Sequence, residues 1–137
     1  MAETIQLEVV TPERQVVSEA AEYIEMPGST GYIGVLPGHA PLLTELAPGE
    51  INYRVSGDVR RLAVGWGMAE VLPEKVTVLA QVAERAEEID VQRAQAAKQR
   101  AEEALRTATP GGELEEAQSA LQRANARLEV AEKNNNH

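Results

Sequence analysis

Four residues in the C-terminal half of the 137-residue chain have the types and spacing for ligand chemistry: Asp90, Arg93, Arg123 and Arg127. Arg93 follows Asp90 by three residues, and Arg123 and Arg127 stand one helical turn apart, so each pair shares a helix face. Guanidiniums gathered near a carboxylate make a phosphate site, with a polar contact to spare for a base or sugar. The same pattern equally describes a solvated salt-bridge face, which contributes little energy. Asp90 also falls four residues before Ala94, on a register that alanine otherwise fills. There it either faces a partner helix or caps the start of its own.

The other candidates carry less. His39 lies in Leu36-Pro37-Gly38-His39-Ala40-Pro41, with Ser29, Thr30 and Thr44 near in sequence, but no nucleophile motif frames it. A histidine that hydrogen-bonds and orders a rigid loop accounts for it better than a catalytic base does. Metal binding is not expected: there is no cysteine, no paired histidine (His137 is the only other one) and no loop of alternating Asp and Asn. Gly28, Gly31 and Gly34 form a spaced run, but they fall between strands and open no helix, which excludes a dinucleotide fingerprint. Gly65-Trp66-Gly67 reads as a bulge or a close approach of strands. No catalytic residues are expected.

Two kinds of element must position these groups. From Thr4 to about Ala83, apolar residues alternate in short runs: Ile5, Leu7 and Val9; Val16 and Val17; Ala21, Tyr23 and the Ile24/Met26 region. Ile51, Tyr53 and Val55 follow, then Arg61 to Val64, Met68 to Leu72, and Val76 to Val82. Turn signals such as Pro27-Gly28, Pro37-Gly38, Pro48-Gly49 and Pro73-Glu74 separate them, and Ser56-Gly57-Asp58 predicts a hairpin. No helix-length segment intervenes, so the pattern predicts an antiparallel β-sandwich or barrel over residues 1–84. Without phenylalanine, its core must rest on Val, Ile and Leu.

Residues 85–137 change to Ala, Glu, Gln, Arg and Leu, which favours helix. Thr109-Pro110-Gly111-Gly112 interrupts the run, predicting helices over about 87–108 and 113–133 folded into an antiparallel hairpin, with a frayed Asn134–His137 tail. Ala94, Ala97, Ala101, Ala104 and Ala108 line one helix, facing Leu114, Leu121 and Leu128 interleaved with Ala117, Ala124 and Ala131 on the other. Such a seam is narrow and buries little, so the hairpin is expected to dock weakly and to rearrange. In this arrangement the end of the second helix returns beside the start of the first, and Asp90, Arg93, Arg123 and Arg127 converge. The fold class is thus α+β.

The formal net charge is -9 with basic residues scattered, unlike the clustered Lys and Arg of nucleic-acid or anionic-lipid binders. No apolar run approaches the roughly 20 residues that span a bilayer. Residues Met1 to Leu7 lack the cationic start and apolar block of a signal peptide, so a cytoplasmic location with protein partners is expected.

The segment Gly31-Tyr32-Ile33-Gly34-Val35-Leu36-Pro37-Gly38-His39-Ala40-Pro41-Leu42-Leu43-Thr44 closely resembles the central motif of bacterial F-type ATP synthase epsilon subunits. Leu7 to Arg14 resembles the family's first strand and turn, and Gly67 to Val71 its late strand. The resemblance covers the whole chain. It implies a rotor subunit without catalytic activity, whose sandwich holds the gamma subunit and sits on the ring of c subunits. The tip at Gly28, Ser29, Thr30 and Gly31 would face the c ring, and the His39 loop would lie near gamma. Membrane association would come only through the complex, on the cytoplasmic face of the inner membrane. The hairpin would switch between a folded-down form and an extended form that reaches the alpha and beta subunits and blocks ATP hydrolysis.

The resemblance also bears on the charged cluster. Ile89-Asp90-Val91-Gln92-Arg93-Ala94 is similar to the motif of epsilon subunits that bind ATP in the folded-down hairpin; Arg123 and Arg127 match its second-helix arginines, and Glu84 and Arg100 match more loosely. ATP would then be a regulatory ligand rather than a required cofactor. Alternatively, Arg123 and Arg127 would meet acidic residues of beta in the extended form. Two other classes compete: a free-standing peptide- or sugar-binding module, against which the scarcity of aromatics speaks, and a small hydrolase using His39.

Overall fold

The computed structural model describes residues 3–135. His137, and with it the end of the expected frayed tail, lies outside the described residues; Asn134 and Asn135, expected to fray, continue the second helix.

Ten strands form the N-terminal unit: β1 (Ile5–Val10), β2 (Gln15–Ala21), β3 (Tyr23–Gly28), β4 (Gly31–Val35), β5 (Leu42–Leu46), β6 (Gly49–Val55), β7 (Asp58–Val64), β8 (Gly67–Val71), β9 (Lys75–Ala80) and β10 (Ala83–Arg85). They pair in the order β10-β7-β6-β3-β5-β8-β9-β1-β2, with β4 on β3, and β2 packs across onto β6 to enclose the core. Ile5, Leu7 and Val9 are fully buried, as their alternation requires, and join Val17, Ile24, Met26, Leu46, Ile51, Leu62 and Val71. Val16 and Val17 are both buried although adjacent. The β1–β2 register shifts between Val9 and Val10, and the resulting bulge turns consecutive side chains inward.

Three features depart from the expected pattern. The sandwich is not wholly antiparallel, because β1 runs parallel to β9. Gly28, Gly31 and Gly34 do not lie between strands: Gly28 ends β3, and Gly31 and Gly34 belong to β4, whose residues 31–34 are exposed or half-buried and so carry little apolar alternation. Strand β5 was equally silent, having two exposed leucines at its start. The hairpin at Ser56-Gly57 is as predicted, with both turn residues at positive φ (50° and 84°), the geometry of a two-residue primed turn.

After β10 a 3-10 turn (Ala86–Glu88) leads to helix α1 (Val91–Thr107), then helix α2 (Gly112–Asn135). Helix α1 starts later than residue 87 because Ile89 is extended (φ −75°, ψ 124°) and Asp90 supplies the cap. The buried seam is alanine on both sides: Ala94 and Ala101 of α1, Ala117, Ala124 and Ala131 of α2. Ala97 is half-buried, Ala104 is exposed, and Leu114, Leu121 and Leu128 are only half-buried at the seam's margin. Helix α2, through Ala126 and Val130, packs on Ala63 and Ala86 with Ile89 alongside; α1 packs chiefly on α2.

Gly67 confirms the close strand approach: a Cβ there would sit 2.3 Å from the Leu79 carbonyl oxygen, whereas one on Gly65 would meet nothing nearer than 3.7 Å. Gly67→Ala should therefore destabilise the protein by about 1–3 kcal/mol, and Gly65→Ala by far less, as read from urea unfolding midpoints.

Candidate functional site

The charged cluster forms where the sandwich, the linker and both helices meet. Asp90, at the N-cap of α1, accepts a hydrogen bond from the Arg93 backbone N–H at 3.1 Å. Of the two roles open to Asp90, the structure shows the cap; it records no ion pair between the Asp90 carboxylate and the Arg93 guanidinium. A small cleft of about 100 Å³ opens beside the cap, lined by Glu84, Asp90, Arg93, Ala94, Ala97, Arg100 and Arg127. Glu84 comes from the sandwich, and its Oε1 accepts from Arg127 Nε of α2 at 2.5 Å, so one ion pair joins the two units across the cleft floor.

Arg123 does not line this first cleft. It lines a second of about 440 Å³ that runs on between the helices and shares Ala97, Arg100 and Arg127 with the first. The two make one trough. Arg123 Nη1 donates to Ser119 Oγ (2.8 Å) and Nη2 to Glu116 (3.2 Å), which holds it along its own helix. Ile89 is the one expected site residue turned elsewhere, packing against the small cluster of Ala63, Ala86, Ala126 and Val130. Seven of the eight expected nucleotide-site residues thus border the trough.

The linker is pinned as well. Arg14 makes two 2.9 Å hydrogen bonds to the Glu88 carboxylate, which also accepts from the Arg85 N–H at 3.0 Å. These bonds, Arg14's first, hold the Glu88 carboxyl below the usual carboxylate range. Farther along α2, Trp66 Nε1 donates to Ser119 Oγ at 2.7 Å, and Lys133 Nζ reaches the buried Glu50 at 3.0 Å.

The remaining expected residues sit at opposite ends of β4. Ser29 and Thr30 form the tight β3–β4 turn and are exposed with Gly31 (φ 141°), while Gly28 is buried, a Cβ there falling 2.7 Å from Gly31 O. Beyond the other end, His39 Nδ1 lies 2.6 Å from the Ala40 carbonyl oxygen, and the His39 backbone N–H donates to Leu36 O at 3.1 Å, so the side chain makes the local loop contact expected of it. Among the described residues no group of three or more His, Asp or Glu could hold a metal, and no helix is long and apolar enough to cross a membrane.

Sequence reasoning missed one surface. Outward-facing Leu43, Met68 and Leu79 are exposed on β5, β8 and β9, with Trp66 and Pro12 beside a shallow apolar groove of about 580 Å³. The signal was available in part: in a strand, neighbouring leucines such as Leu42 and Leu43 cannot both face the core.

A β-sandwich carrying a docked helical hairpin over an arginine-lined trough is a two-part architecture with known relatives. The family model described as the ATP synthase delta/epsilon chain β-sandwich domain matches residues 4–86, and that of its long α-helix domain matches residues 87–132. The chain belongs to this family, as an epsilon chain of the F-type ATP synthase. It is 53% identical over 133 residues to the ATP synthase epsilon chain of Syntrophobacter fumaroxidans, covering 97% of this chain and 99% of that one. It is 58% identical over 110 residues to that of Koribacter versatilis, 80% of this chain and 78% of the relative. In fold it is similar to a chain in the structure of the Euglena gracilis mitochondrial ATP synthase OSCP/F1/c-ring (TM-score 0.78, 24% identity, 93% of this chain and 81% of that one). A chain of the Tetrahymena thermophila mitochondrial ATP synthase central stalk/c-ring matches at TM-score 0.60 and 13% identity, over 95% of each.

The cap can be separated from the charge. Asp90→Ala should cost about 1 kcal/mol and speed amide exchange in the first turn of α1, whereas Asp90→Asn, which caps as well, should leave both nearly unchanged.

Proposed function

We propose that this chain is a non-catalytic rotor subunit of the central stalk, and that its docked hairpin is a regulatory element that binds ATP. The trough carries the second half of this reading. Its walls come from both helices and, through Glu84, from the sandwich, so the complete site exists only while the hairpin lies docked. A ligand bound there stabilises the docked form in proportion to its preference for it. Arg93, Arg100 and Arg127 supply guanidiniums for phosphates, with Arg123 one turn away, and Glu84 and Asp90 are acceptors for a sugar or base. The trough's carboxylates near Arg93 are engaged, Asp90 by the α1 cap and Glu84 by Arg127, and neither is free to act as a base, so ATP would be sensed and not hydrolysed.

The docking contact suits an element that comes and goes. It consists of one small apolar cluster and a few polar links, and releasing α2 would free α1 with it. Undocked, the hairpin would extend towards the alpha and beta subunits and inhibit hydrolysis, with Arg123 and Arg127 free to meet acidic residues there. The apolar face of β5, β8 and β9 fits a protein partner, the gamma subunit, and the Gly28–Gly31 tip would meet the c ring, with the His39 loop near gamma. The chain would then sit on the cytoplasmic face of the cell membrane, held there by the complex.

Isothermal titration of the protein with ATP should show saturable one-site binding that Arg93→Ala/Arg123→Ala loses. No saturation with the wild type would leave the trough as a solvated ion-pair face. In the assembled ATPase, removing the hairpin should raise hydrolysis; unchanged hydrolysis would sink the inhibitory role.

A further inference from the structure

A second group of guanidiniums lies outside the trough, and nothing in the family reading uses it. Arg60 and Arg61 of β7 and Arg85 at the end of β10 surround a polar cleft of about 210 Å³ with Tyr53, against the last turn of α2 at Asn134. Glu19 and Glu87 border the same cleft; Glu19 is committed to Arg60 and the Tyr53 hydroxyl, which leaves Arg61 and Arg85 against Glu87 within the lining.

Their hydrogen-bonding capacity is largely unspent. Each guanidinium has five N–H donors. Arg60 uses one, to Glu19. Arg85 gives two to the Val16 carbonyl, a neutral acceptor, and has no carboxylate partner within ion-pair distance among the described residues. Arg61 makes no hydrogen bond there at all. Its only carboxylate is Glu50, 3.5 Å from Nε, and Glu50 is already shared with Lys133 and the Asn52 amide. Arg61 Nε, the single buried side-chain nitrogen or oxygen without a hydrogen bond among the described residues, faces Glu50, so the Nη groups are the donors left for the cleft. Tyr53 stays protonated, since burial first and its bond to Glu19 next push its hydroxyl far up.

We infer that this cleft is an oxyanion site, which Arg61 and Arg85 hold for a small ligand of the phosphate class. Arg61 and Arg85 are the anchoring residues, as Arg60 is already committed to Glu19. A tetrahedral oxyanion offers acceptors in several directions, matching donors that arrive from two different strands. Because Asn134 of α2 borders the cleft, an anion bound there also lies at the seam between the sandwich and the hairpin's end. The site is independent of the ATP trough, whose walls share none of its residues.

The test is a titration of the full chain with inorganic phosphate against chloride at matched ionic strength, followed by backbone amide NMR shifts. Saturable shifts centred on residues 59–61 and 85 are expected. Arg61→Gln/Arg85→Gln should weaken them roughly tenfold or more, while Arg93→Ala/Arg123→Ala should leave them intact. Shifts that chloride reproduces, that never saturate, or that vanish only in the Arg93→Ala/Arg123→Ala protein would overturn the proposal. Should the double glutamine variant fail to fold, the location of the wild-type shifts decides the question alone.

Discussion

The position of the hairpin depends on a contact made by four small side chains. Ala126 and Val130 of α2 meet Ala63 of β7 and Ala86 of the linker, and α1 is held mainly through α2. Alanine on both sides lets backbones come close, which sharpens the geometry while keeping the buried apolar area small. Docking is therefore well defined in shape and modest in energy. Everything assembled at the seam, the arginine-lined trough included, inherits that balance.

Polar links then fix the register of that contact. Glu84 with Arg127, Trp66 with Ser119, and Glu50 with Lys133 are spread along α2, so a slide of one residue would break them together. Glu50 is the one of these that is deeply buried, and leaving a buried carboxylate with fewer partners is costly. Arg127 has two attachments: it pairs with Glu84 and lines both parts of the trough, so the docking contact and the trough share one guanidinium.

The sandwich contributes rigidity of another kind. Its core is built from Val, Ile, Leu and Met without a phenylalanine, and closeness replaces bulk where Gly67 lets β8 lie against β9. The outward side of the same strands keeps Leu43, Met68 and Leu79 in solvent. Because β5, β8 and β9 are neighbours, those residues form one apolar surface.

Alternation at Ile5, Leu7 and Val9, the Ser56-Gly57 turn and the Thr109 to Gly112 break specified strands, hairpin and helices by local chemistry alone, whereas the segment from Gly31 to Thr44 was readable only as a resemblance to a family. The charged cluster was legible too, because Asp90, Arg93, Arg123 and Arg127 lie on helices whose pairing the break dictates. Strands β4 and β5 were not legible from their residues, since exposed positions lack the periodicity that burial imposes. Nor was the parallel β1–β9 pair, nor the turning of Ile89 away from the trough, nor the meeting of Arg60, Arg61 and Arg85. Those depend on which elements become neighbours. Only closure of the sandwich and docking of α2 decide that, because sequence spacing measures distance along one element and says nothing of distance between two.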